Sequence, residues 1–312
     1  VKKYKYLVGS GCSFTEVCTP VYGDDPKQIK WLERLGLELG IEKVKTYNMG
    51  MGGAGNEFIK MNFLYKIQEL LKVPDIKSSD IFVAIQWTGY ERCDLFVSDE
   101  IPTIDGLDED LQPNYFGSNY NTHKMESKPD FGWVFSGAHI GRDYDVSQNP
   151  SGHETETKMN YLTRWYKYYY THQGMWVNTL NNILFIQNLC KAHNIDYVFC
   201  TGWNIVVDTY PDAFYNSDSS NTNTFEQYFG FKFLWDMIDF DRFIFYPSNI
   251  YNFKTEKECQ YKKNREISDY GGMWQYMVER DGIDLDNRHP NKHGSKVWAE
   301  YIHNTMKDRK LL

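Results

Sequence analysis

The chain has 312 residues, room for one large domain or two small ones. Its 34 basic and 42 acidic residues leave a formal charge of −8, which argues against a chain-wide nucleic-acid-binding role, because phosphate neutralisation needs clustered Lys and Arg. Hydrophobic residues make up 41% of the chain and aromatic ones 17%, a composition that can bury a core and excludes disorder along the whole length.

The elements alternate from the start. Residues 4–8 read as a first strand that ends in the small-residue turn Gly9-Ser10-Gly11. The segment 1–8 is basic but lacks the apolar core of a signal peptide, so none is expected. Ile29, Trp31, Leu32, Leu35 and Leu39 give helical spacing over 28–40. A second strand is expected over 43–47, followed by a run of glycines. Phe58, Met61, Leu64, Tyr65, Ile67 and Leu71 supply one face of a helix over 56–72, and Pro74 marks its stop. The run IFVAIQW at 81–87 is nearly all apolar, as in a strand buried on both faces.

From 94 to 160 the rhythm breaks. The segment is rich in Asp, Asn, Gly, Ser, Pro and Tyr, and so long a stretch reads as an insertion or cap rather than a plain loop. A helix over 161–193 with a bend near Gly174, a strand over 196–200, a helix over 225–239, a strand over 242–246 and a closing helix over 292–307 follow. The whole, 1–312, reads as one α/β domain: a three-layer α/β/α arrangement with a mainly parallel, flavodoxin-like sheet. No run approaches the ~18 apolar residues that span a bilayer. The six cysteines are spread without a CxxC pair, which fits free thiols in a reducing, cytoplasmic setting.

In such sheets the ligand site lies beyond the carboxyl ends of the strands. After the first strand stands Gly11-Cys12-Ser13-Phe14-Thr15, where Ser13 is placed for nucleophilic attack if a base can reach it. The alternative is a serine that only caps the next helix. After the second strand, Gly50, Gly52 and Gly55 spell G-x-G-x-x-G, the dinucleotide fingerprint, but no acidic residue ends a strand about 20 residues on. The other readings are a turn that points an amide into the Ser13 site, or a tight helix entrance that needs positive φ. Near the C-terminus, Asp286 stands three residues before His289, so a carboxylate can orient an imidazole that serves as general base. His289 and His293 share helical i, i+4 spacing, but no H-E-x-x-H pattern or third ligand points to a metal. Pro290 suits the first position of the closing helix.

Together these segments resemble the SGNH hydrolases, also called the GDSL family of esterases and lipases. The motif from Asp286 to Pro290 matches the family's D-x-x-H-P, Gly11 to Thr15 looks like its first block, and Asn48 to Gly53 looks like its second. The resemblance implies Ser13 as nucleophile, His289 as base, Asp286 as orienter, and the Ser13 and Gly53 amides as oxyanion donors. It implies no metal or organic cofactor. The family's third block, G-x-N-D, is absent: Tyr90 falls in the Asn slot, with Thr88, Gln86 and Arg92 nearby as other donors, and Asn204 more distant. The expected activity is hydrolysis of a small ester through an acyl-enzyme, with an O-acetylated carbohydrate as first substrate class. The alternative is a non-catalytic protein that keeps the fold, as a partner in a larger assembly.

Overall fold

The computed structural model describes residues 4–16, 29–90, 92, 94–98, 131–135, 172–203, 232–248, 268–283 and 289–312; for 95–98, 131–135, 172–173, 232 and 268–270 it describes the backbone alone. In chain order the elements are β1 (Tyr6–Ser10), α1 (Trp31–Glu38), β2 (Thr46–Asn48), α2 (Asn56–Leu71), β3 (Ile81–Trp87), β4 (Asp94–Ser98), β5 (Phe131–Phe135), α3 (His172–Ala192), β6 (Asp196–Thr201), α4 (Lys232–Asp236), β7 (Phe243–Ile244), β8 (Tyr246–Ser248), β9 (Ser268–Gly271), α5 (Met273–Val278) and α6 (Lys292–Asp308).

Five strands form one sheet in the order β2-β1-β3-β6-β7, and every pairing in it is parallel. Val8 lies opposite both Tyr47 and Val83, and Ala84 lies opposite Val198. The chain leaves β1 toward β2 on one side and returns to β3 on the other. That reversal opens a crevice at the carboxyl ends of β1 and β3, where doubly wound sheets hold ligands.

The alternation along β3 explains why its sequence has no polar face. Ile81, Val83, Ile85 and Trp87 pack with Phe58, Phe63 and Ile67 of α2 and with Trp176, Leu180 and Ile183 of α3. Phe82 and Ala84 face the other way, with Trp31, Leu32 and Leu35 of α1 and with Met277, Trp298 and Ile302 of α5 and α6. Two apolar cores on opposite faces make the architecture a three-layer α/β/α fold. Each large side chain taken fully from water contributes about 1.5–3 kcal/mol to it. Among the described residues no helix is long and apolar enough to cross a membrane.

The elements differ from the sequence expectation in several places: β1 extends through Gly9 and Ser10, expected in a turn, and β9 and α5 were not expected. The run expected as a strand over 43–47 begins as a turn of 3-10 helix (Lys43–Lys45), and only Thr46–Asn48 pairs with β1. The run expected as a strand over 242–246 divides: Ile244 pairs with Cys200 in the main sheet, whereas Tyr246–Ser248 pairs antiparallel with Ser268–Gly271. Pro247 lacks the N–H a continuing ladder needs. The expected insertion holds an antiparallel pair, with Asp94 opposite Phe135 and Ser98 opposite Phe131. The closing helix starts at Lys292, because Asn291 caps it by accepting from the Gly294 amide at 2.8 Å; Pro290 instead lies before the cap, bridged to Ile283. Of the expected helices over 161–193 and 225–239, residues 161–171 and 225–231 lie outside the described residues.

Candidate active site

The chain leaves β1 into a turn over residues 12–16. The Cys12 carbonyl accepts from the amides of Thr15 (2.9 Å) and Glu16 (3.0 Å), which leaves Ser13 on the outside of the turn and partly exposed. Cys12 is completely buried and its Sγ lies 3.5 Å from Gln86 Oε1, so this thiol is a packing group. Thr15 points inward as well: its hydroxyl donates to Gln86 Oε1 at 2.8 Å and accepts from Trp31 Nε1 at 3.0 Å. Gln86 donates back to the Trp87 carbonyl at 3.0 Å. Its carboxamide therefore holds the turn onto β3 instead of reaching the crevice as an oxyanion donor.

The second loop is sewn to the first by Asn48. Its Nδ2 donates to the Thr15 carbonyl (2.5 Å) and to Glu33 Oε1 (2.9 Å), and its Oδ1 accepts from the Gly50 amide (3.0 Å). Burial pushes the Glu33 carboxyl above its ordinary pKa, and the Asn48 hydrogen bond opposes that shift. Gly50 has to be glycine here, since a Cβ would stand 2.7 Å from the Glu16 amide nitrogen. Gly53 adopts φ +77°, which a residue with a side chain enters at a cost.

The amides of this loop decide between the two readings of its glycines. Gly50 donates to Asn48, Met51 to the Gly11 carbonyl at 3.0 Å, Ala54 to the Met51 carbonyl at 3.3 Å, and Gly55 to Asp94 Oδ1 at 2.7 Å. A dinucleotide pyrophosphate would need those donors. Among the described residues, the amides of Ser13, Gly52 and Gly53 have no acceptor.

Beyond β3, the Thr88 amide donates to Asn56 Oδ1 at 2.9 Å and the Thr88 carbonyl accepts from Asn56 Nδ2 at 3.0 Å. The Thr88 hydroxyl is fully enclosed and lacks a hydrogen-bond partner among the described residues. Tyr90 is buried with its ring 5.3 Å from that of Trp176, on the α2/α3 side of the sheet. Asn56 thus ties the Thr88 backbone to α2, and the Tyr90 ring packs on Trp176 of α3. The side chain that does reach across the crevice is Arg92. It donates to the Ala54 carbonyl at 3.1 Å and lies 4.8 Å over the ring of Trp203, which follows β6.

From Trp203 the contacts run on to the C-terminal segment. The Trp203 ring is 5.9 Å from Phe14, and the Phe14 ring is 5.7 Å from His289 in edge-on geometry. His289 is therefore brought to the residue next to Ser13, although 276 positions separate Ser13 and His289 in the chain. The Ser13 hydroxyl makes no hydrogen bond to a described residue; such pairs often tighten only when substrate is bound. His289 is held from behind, with Pro290 bridged to Ile283 and the Asn291 amide donating to the Gly282 carbonyl at 3.0 Å. Asp286 and Asn204 lie outside the described residues. His293 is exposed on the first turn of α6.

Asp94 was not visible in the sequence as part of this arrangement. Gly55, the residue before α2, has no side chain to cap the helix, and Asp94 does so from β4: its two oxygens accept from Gly55 (2.7 Å) and Phe58 (2.9 Å). Burial pushes its carboxyl up to about 7 against these favourable amides.

No family model and no curated protein matches the chain. A solved structure of the YxiM protein of Bacillus subtilis is similar over 98% of this chain and 57% of that one, at 14% identity and a TM-score of 0.36. The chain thus spans little more than half the length of that protein.

Proposed function

We propose that the protein is a serine ester hydrolase, with Ser13 as nucleophile and His289 as general base. The observation that carries this reading is the unbroken line of contacts from His289 through Phe14, Trp203 and Arg92 to Ala54. It crosses the exits of four strands and supports the reading by bringing the imidazole to Phe14, the residue after Ser13. The resemblance of these segments to the SGNH hydrolases points the same way.

In the proposed reaction His289 takes the Ser13 proton as Oγ bonds to the ester carbonyl carbon. The carbonyl oxygen becomes an oxyanion held by the amides of Ser13 and Gly53. The carbon–oxygen bond to the alcohol then breaks, and the alcohol leaves with the proton from His289. Water repeats the sequence on the acyl-enzyme and releases the acid. Asp286 is assigned to orient the imidazole and stabilise its charge. A small acyl group such as acetate, carried on a carbohydrate, is the substrate class this reading favours.

Turnover of p-nitrophenyl acetate by the full chain tests it. Ser13→Ala and His289→Ala should each lower kcat by about 10³-fold or more while the fold persists. Undiminished turnover in either variant would remove that residue from the mechanism.

A further inference from the structure

Arg92 is the group at the crevice that the proposed reaction leaves unused. Only 8% of it is exposed, yet no carboxylate lies within ion-pair distance of it among the described residues. Among the described residues, the nearest acid on its own segment is Asp94, whose charge interacts with Arg92 through space while its oxygens accept from the Gly55 and Phe58 amides. A buried charge without a directly bonded counter-ion is costly. The ring of Trp203 beneath the guanidinium offsets part of that through its π-face.

The manner in which Arg92 is held says what completes it. Nη1 is fixed on the Ala54 carbonyl at 3.1 Å, and Nε is buried with no hydrogen-bond partner. In a guanidinium the Nε–Nη2 edge carries two parallel N–H groups, the fork that matches the two oxygens of a carboxylate. Here that edge has no acceptor among the described residues, while the opposite Nη is anchored and the plane is backed by Trp203. A single oxyanion would use one N–H of the fork; a carboxylate would use both.

We propose that Arg92 is a carboxylate-binding residue, and that the esters this protein takes carry a carboxylate a short spacer away from the scissile carbonyl. The anchor point supports the short spacer, because Ala54 directly follows Gly53, whose amide is assigned to the oxyanion. The inference rests on the proposed hydrolase for its substrate, but the anion site itself is testable without turnover.

Two experiments separate the two claims. In the first, calorimetry titrates the Ser13→Ala chain with succinate and with its neutral diamide. Succinate should bind at least tenfold more tightly, and Arg92→Gln should abolish that preference, with Arg92→Lys retaining part of it. Equal affinity for the dianion and the diamide would overturn the proposal, whatever Ser13 does, and that comparison needs no Arg92 variant to fold. In the second, the unmutated chain is given p-nitrophenyl hydrogen succinate and its methyl ester. The free carboxylate should raise kcat/KM by roughly 10- to 100-fold, the range of a charged hydrogen-bonded pair. Equal rates on the two esters would likewise overturn it, and absence of turnover on both would count against the hydrolase alone.

Discussion

Replacing Asn48 by Ala should separate the two loops that build the crevice. The change removes hydrogen bonds to the Thr15 carbonyl and from the Gly50 amide, and a third to the Glu33 carboxyl. Two neutral bonds at about 1 kcal/mol each and one to an ionisable group at about 1.5–3 kcal/mol give a loss of roughly 3–5 kcal/mol. The loss should depend on pH. Burial already raises the Glu33 pKa in the folded state, and Asn48 is the largest opposing influence. A carboxyl whose folded pKa is raised favours folding most when protonated, so its penalty grows as pH rises above the ordinary 4.5. Without Asn48 the pKa rises further, so the stability gap between the variant and the unmutated chain should be constant near pH 4.5 and widen once pH passes the raised folded pKa of Glu33 in the unmutated chain. Urea unfolding at several pH values measures the gap. Ester turnover by the folded variant should fall by about 10²-fold, the effect of a nucleophile displaced by ~1 Å. A variant within 1 kcal/mol of the unmutated chain at pH 7, with unchanged turnover, would refute the role given to Asn48.

Gly50→Ala should act on the same junction from the other side, because its Cβ would meet the Glu16 amide nitrogen at 2.7 Å; a destabilisation of about 1–3 kcal/mol in urea unfolding is expected. For Asp94, whose folded pKa is pushed from 3.8 up to about 7, the unmutated chain should lose stability as pH rises through that window. Asp94→Asn should flatten this part of the profile, and an unchanged slope would show that the carboxyl at the α2 entrance does not titrate there.

The parts of this fold that were legible in the sequence are those whose pattern is set within one element. β3 reads as a buried strand because Ile81, Val83, Ile85 and Trp87 face one core while Phe82 and Ala84 face the other. The division of 242–248 is not legible, since apolar spacing marks a strand without saying which neighbour it pairs with. The cap of α2 shows the same limit. Local sequence gives Gly55, which cannot cap, and the carboxylate comes from Asp94, 39 positions further on. At the site, Ser13, Asn48, Gly53 and His289 fall within motifs, whereas the bonds that Asn48 and Arg92 make run to partners distant in the chain. Nothing in the spacing of Arg92 announces that Trp203 will lie beneath it or that Ala54 will hold one of its nitrogens. Tyr90 is legible only as the residue in the Asn slot of the absent block, with Thr88 nearby, and neither position announces the Trp176 ring or the Asn56 carboxamide that meets it.

The central claim is that Ser13 is an activated nucleophile, and a fluorophosphonate probe reads this directly by forming a covalent bond to such a serine. The full chain should take up one probe molecule, mass spectrometry of its peptides should place the adduct on Ser13, and Ser13→Ala should abolish labelling. An unlabelled chain, or an adduct on another residue that survives Ser13→Ala, would contradict the account.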